Sequence, residues 1–89
     1  MADTFNYTNI TTATTTVVKS GTGILHSIVI NTTAAAIITI YDNTSAAGTK
    51  IATIAASPAI GSTFTYNVAF ATGLTIVTAG APDITVAYK

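Results

Sequence analysis

The stretch from Ala36 to Ala55, AIITIYDNTSAAGTKIATIA, most narrows what this chain can become. Two runs rich in β-branched residues flank Asp42-Asn43-Thr44-Ser45-Ala46-Ala47-Gly48, a cluster of small polar residues that closes on glycine. Ile38 and Ile40 alternate with Ile37 and Tyr41 in the first run, and Ile51 and Ile54 anchor the second. This pattern predicts strand, long turn, strand.

The rest of the chain repeats that grammar. Ile10 to Ser20 (ITTATTTVVKS) reads as a first strand or an edge pair, because Thr and Val suit a pleated surface. Ser20-Gly21-Thr22-Gly23 is a turn, and Ile24 to Asn31 (ILHSIVIN) is a strand. Strict alternation there places Ile24, His26, Ile28 and Ile30 on one face and Leu25, Ser27, Val29 and Asn31 on the other. After the break at Ser57–Ser62, Thr63 to Phe70 is the clearest alternation. Phe64, Tyr66, Val68 and Phe70 face inward, expected with Ile28, Ile30, Ile38 and Ile40 in the core. Leu74 to Thr78 is a further strand, and Ile84, Val86 and Tyr88 form the last inward face. No window holds apolar residues at i, i+3, i+4 and i+7 over three turns. The expected fold is therefore all-β: a small antiparallel β-sandwich of jelly-roll or immunoglobulin-like type, with about seven to eight strands. Residues 1–9, with Phe5 and Tyr7, read as an N-terminal arm, and residues 10–89 as a single sandwich domain.

Charge excludes several functions. Only 7% of the residues are charged, against about 25% in ordinary globular domains. The cations are Lys19, Lys50 and Lys89, the anions Asp3, Asp42 and Asp83, and the formal net charge is zero. A phosphate backbone needs more cationic partners than three scattered lysines, and an anionic membrane surface fails on the same ground. No uninterrupted apolar run of about 18–20 residues is present to span a bilayer. The start MADTFNYTN has neither the basic region nor the apolar core of a signal peptide. Synthesis and folding in a cytoplasm are expected.

Catalytic chemistry finds no foothold. His26 is the single histidine, and a metal site needs several ligands to converge. Ser27 follows it directly, but neighbours on a strand point to opposite faces and cannot act as nucleophile and base. Asp42 and Asp83 sit beside turns, where aspartate caps backbone groups. Tyr7, Tyr41, Tyr66 and Tyr88 read first as core or interface residues and second as walls of a carbohydrate groove. No enzyme, cofactor or metal is expected. A domain this small, without cysteine and nearly without charge, is exposed to edge-to-edge association, so its edges are expected to be covered by further copies or by a partner.

At GILHSIVINTT, ITIYDNTSAAGTKIATI and FTYNVAFATGLTIVTAGAPDITVAYK, the chain resembles small virion-associated proteins of tailed bacteriophages and prophages, over about residues 24–89. The matching positions are Gly23, Leu25 and His26; Tyr41, Asp42, Thr44, Ser45, Gly48 and Thr49; and Phe64, Tyr66, Phe70, Gly73, Leu74 and Thr75. The resemblance implies a β-sandwich on the capsid surface, assembled in the host cytoplasm as a head decoration or cement protein that strengthens the shell. Similar sandwiches also occur in head fibres and tails, so an adhesin that binds host carbohydrate is the alternative. The implied partners are the major capsid protein and further copies of the chain, as a homotrimer. Phe5, Tyr7, Thr14 and Thr16 are the expected oligomer or capsid contacts, since the arm and the Thr-rich edge Thr11–Val18 need a neighbour.

Overall fold

The computed structural model describes residues 5–89. Its eight strands are β1 (Asn6–Ile10), β2 (Thr14–Ser20), β3 (Gly23–Thr32), β4 (Ile38–Asp42), β5 (Thr49–Ile54), β6 (Thr63–Phe70), β7 (Gly73–Thr78) and β8 (Asp83–Tyr88). No described residue is helical. The strands form two antiparallel four-stranded sheets, ordered β1-β8-β3-β6 and β2-β7-β4-β5.

The pairing is nested. β4 pairs with β5, β3 with β6, β2 with β7 and β1 with β8. The first four strands thus lie against the last four as one long hairpin with the β4–β5 loop at its tip. Rolling that hairpin adds the pairs β3–β8 and β4–β7 and closes the sandwich. This is the eight-stranded jelly roll. Among the described strands, the β4–β5 hairpin, the tip, is the only pair joined by consecutive strands.

Turn chemistry closes the tip. Asn43 donates its amide to the Ala47 carbonyl at 2.8 Å and accepts the Thr44 N–H at 2.8 Å. Gly48 then takes φ +84°, and a Cβ there would lie 2.8 Å from the Asn43 amide nitrogen. Both the backbone angle and the space select glycine at this position.

Ile10, Leu25, Ile28, Ile30, Ile38, Ile40, Ile54, Phe70, Leu74, Ile76, Ile84 and Val86 make up the core between the sheets. Ile28, Ile30, Ile38, Ile40 and Phe70 are buried as the alternation predicts. Phe64, Tyr66 and Val68 pack against the core but are only partly buried. β6 is an edge strand, so no further described strand pairs beyond it to cover their outer side. Two buried threonines are satisfied, Thr75 donating to the Asn43 carbonyl and Thr78 to the Thr12 carbonyl, both at 2.6 Å, whereas the buried Thr33 hydroxyl has no hydrogen-bond partner among the described residues.

Two expectations are corrected. Strict alternation across β3 fails. Leu25, not Ile24, is in the core with Ile28 and Ile30, and Ile24 is exposed. The register shifts between Leu25 and Ser27 against both neighbours, β8 and β6. His26 is the extra residue relative to β8, and a bulge of this kind moves the following side chains to the other face. On β6 the compensating irregularity holds Asn67 at φ +51°, a region that Asn tolerates better than most residues. The second correction concerns the arm. Residues 6–9 are not a free arm but part of β1, which pairs with β8 from Asn6–Tyr88 to Ile10–Ile84. Thr8 and Ile10 line up with the inward-facing Val86 and Ile84, so the strand completes the first sheet. Residues 1–4 of the expected arm lie outside the described residues.

Candidate interaction surfaces

The sandwich offers three kinds of surface: outer sheet faces, strand edges, and a cleft between the sheets. Register defines the faces. Tyr7, Ala87, Ser27 and Thr65 form one outward row across the first sheet, Ser27 being buried within it, and Asn9, Thr85, Val29 and Thr63 the next. Thr15, Val77, Thr39 and Thr53 form an outward row on the second, Thr39 being buried within it. None of these residues is charged. The slab measures only 17 Å through its shortest axis, so these faces make up much of its surface. Large apolar groups stand out on it: Tyr7 is 74% exposed, Val17 48% and Ile37 47%.

The edges differ from one another. β1 and β6 flank the first sheet, β2 and β5 the second. β2 carries an extra residue between Val17 and Lys19, and β5 one between Lys50 and Ala52. β6 is irregular around Asn67. Bulges and lysines are the usual protections of a sheet edge. β1 has neither: its five residues, NYTNI, keep an unbroken register with β8. The unprotected edge is therefore β1, whereas the sequence pointed to Thr11–Val18.

The four expected contact residues fall in different places. Tyr7 stands on the outer face at the β1 edge. Phe5 turns back on its own sheet, stacking on the His26 ring with centroids 4.2 Å apart and planes 10° from parallel. The Lys89 ammonium lies 5.6 Å from the Phe5 ring centroid, within cation–π range. His26 is held in turn by Asn67, whose Oδ1 lies 2.6 Å from Nδ1. With that oxygen as acceptor, a neutral imidazole carries its proton on Nδ1. Thr14 and Thr16 share register rows with the inward-facing Ile38 and Ile40, so Thr16 is half-buried and the outward pair on β2 is Thr15 and Val17. In a run as uniform as TTATTTVV, alternation gives no phase by which to choose between the two pairs.

Both described aspartates act structurally. Asp42 accepts the N–H groups of Ala71, Thr72 and Gly73 in the β6–β7 turn, the Thr72 bond measuring 2.9 Å. The Thr72 N–H, then that of Ala71, hold its carboxyl below the ordinary aspartate range; desolvation opposes them, and the Gly73 N–H adds a smaller lowering. Asp83 accepts the Asn9 amide at 2.6 Å and the Asn31 amide at 3.1 Å, tying β1 and β3 to the start of β8. Among the described residues, no group of three His, Cys or carboxylate side chains converges.

Beside the β5 and β6 edges lies a cleft of about 330 Å³, bounded by the end of β5, the loop 55–58 and the inward aromatics of β6. Phe64 and Tyr66 wall it, and burial pushes the Tyr66 phenol above its ordinary value. The sequence placed Phe64 and Tyr66 in the core first and offered Tyr66 only second as a groove wall, without a partner ring or a location for the cleft. No protein-family model, curated protein or solved structure matches this chain.

Proposed function

We propose that this protein is a structural component of a bacteriophage virion, a decoration or cement protein that binds the head surface and strengthens the shell. The observation that carries the reading is the surface. Both sheets of the jelly roll turn uncharged rows outward, and β1 leaves an unprotected edge beside the exposed Tyr7. Faces and edges of this kind favour association with a second protein surface. Eight-stranded jelly rolls occur in viral capsid domains as well as in lectins, although fold alone does not assign a function. The resemblance at Gly23-Ile24-Leu25-His26 and at Tyr41 to Thr49 supplies the virion context.

In this reading the chain is not an enzyme. Its partners are further copies, as a homotrimer, and the major capsid protein. Co-sedimentation with purified empty heads of the phage or prophage that encodes the chain tests this. Saturable binding that raises the temperature at which the heads break is expected. Heads that neither bind the protein nor gain stability would remove the proposal.

A further inference from the structure

The cleft between the β5 and β6 edges has a composition that the decoration reading does not use. Its volume, about 330 Å³, lies at the lower end of the range for small-ligand sites, about 300–1,000 Å³. Phe64 and Tyr66 sit two residues apart on β6, so both rings point the same way into it. Ile54 and Pro58 add apolar wall. Thr53, Ser57 and Tyr66 each bring a hydroxyl, and none of the three is bonded by its side chain to any described residue. No charged side chain lines the space.

The loop is held in shape. The Ser57 N–H donates to the Ala34 carbonyl at 2.9 Å. Ser57 itself sits at φ +56°, a left-handed conformation that is strained for a residue other than glycine. Strain of this kind persists where surrounding structure fixes it, and it clusters at ligand-binding positions.

We infer that this cleft binds an uncharged saccharide of one or two rings, with a sugar face stacked on Phe64 and Tyr66 and sugar hydroxyls on Thr53, Ser57 and Tyr66. Aromatic walls suit the apolar C–H face of a pyranose. Hydroxyls that can both donate and accept suit its rim. The absence of charge in the lining disfavours acidic sugars and phosphates, whose charge would lose water without gaining a partner.

The test is an amide-resolved NMR titration of the whole chain with glucose, galactose, mannose, N-acetylglucosamine and their neutral disaccharides. Glucuronic acid and a proline-rich peptide serve as competing classes. Saturable shifts confined to residues 53–58 and 63–66, with at least one neutral sugar, are expected. Tyr66→Phe keeps the ring and loses the hydroxyl, so affinity should fall about tenfold, the equivalent of one hydrogen bond. Tyr66→Ala should abolish binding, and Tyr41→Phe, outside the cleft, should leave it unchanged. If Tyr66→Ala does not fold, Thr53→Val and Ser57→Ala, which remove only hydroxyls, should each weaken binding severalfold. The inference is overturned if no neutral sugar gives saturable shifts. It is equally overturned if the acid or the peptide alone occupies the cleft, or if sugar binding is indifferent to all these substitutions.

Discussion

Asp42 at the end of β4 accepts the backbone N–H of Thr72, thirty residues further along the chain, at 2.9 Å. The bond crosses from one sheet to the turn that leaves the other, so a single carboxylate joins the hairpin tip to the β6–β7 connection. The N–H groups around it hold its pKa below the ordinary value of 3.8. A carboxyl depressed on folding contributes stability in full above its unfolded pKa and loses it as pH falls through the folded one.

Asp42→Asn is therefore expected to lower the melting temperature at neutral pH, and the gap from the parent should narrow as pH falls below about 4. Melting curves of the two proteins over a series of acidic buffers check this. A gap that stays constant across the series would show that the charge of Asp42 does not contribute.

Phe70 fills the core where β3 begins. Its ring is 1% exposed, and a Cβ built on Gly23 would lie 2.6 Å from its Cζ atom. Phe70→Ala should cost about 3–5 kcal/mol in denaturant unfolding. Gly23→Ala should also destabilise, because the added methyl must displace the ring or the chain end beside it. A loss below about 1 kcal/mol for Phe70→Ala is too small for a buried aromatic and would place the ring outside the core.

The β3 bulge can be tested through Asn67. Its φ of +51° is open to glycine and strained for a β-branched side chain. Asn67→Val should destabilise by about 1–3 kcal/mol. Asn67→Gly should recover most of that loss while still lacking the bond to His26. Equal stability of the Val and Gly variants would mean that the strand runs straight through this position.

Which parts were legible in the sequence follows from where alternation is undisturbed. β4 and the inward set of β6 can be read because their apolar residues keep period two, and the β4–β5 hairpin because a cluster of turn residues separates two apolar runs, although the β5 bulge breaks the alternation between Ile51 and Ile54. The face of β3 cannot, since ILHSIVIN alternates acceptably in either phase and a bulge at His26 leaves no compositional mark. β1 is equally obscure: in NYTNI only Ile10 reaches the buried core, and partnership with β8, more than seventy residues away, is a property of the rolled hairpin. The cleft arises from tertiary geometry alone. Phe64 and Tyr66 read as core because sequence shows that they point inward but not that β6 is the last strand of its sheet.

Assembly is the prediction on which the functional reading depends, and the edges say where to look. β2, β5 and β6 each carry an irregularity that discourages pairing, and two of them add a lysine. β1 runs straight, lacks charge and places Tyr7 at its outer face, 74% exposed. Light scattering at micromolar concentration should report an oligomer, a trimer by the resemblance. Tyr7→Lys introduces a charge at the unprotected edge and should shift the population toward monomer. Its unfolding midpoint should change little, because an exposed side chain away from caps and core alters stability by about 0.5 kcal/mol or less. Val17→Lys, at the already bulged β2 edge, should leave the oligomer intact. If the parent chain is a monomer that ignores empty heads, or if Val17→Lys dissociates the oligomer and Tyr7→Lys does not, then β1 is not the assembly edge.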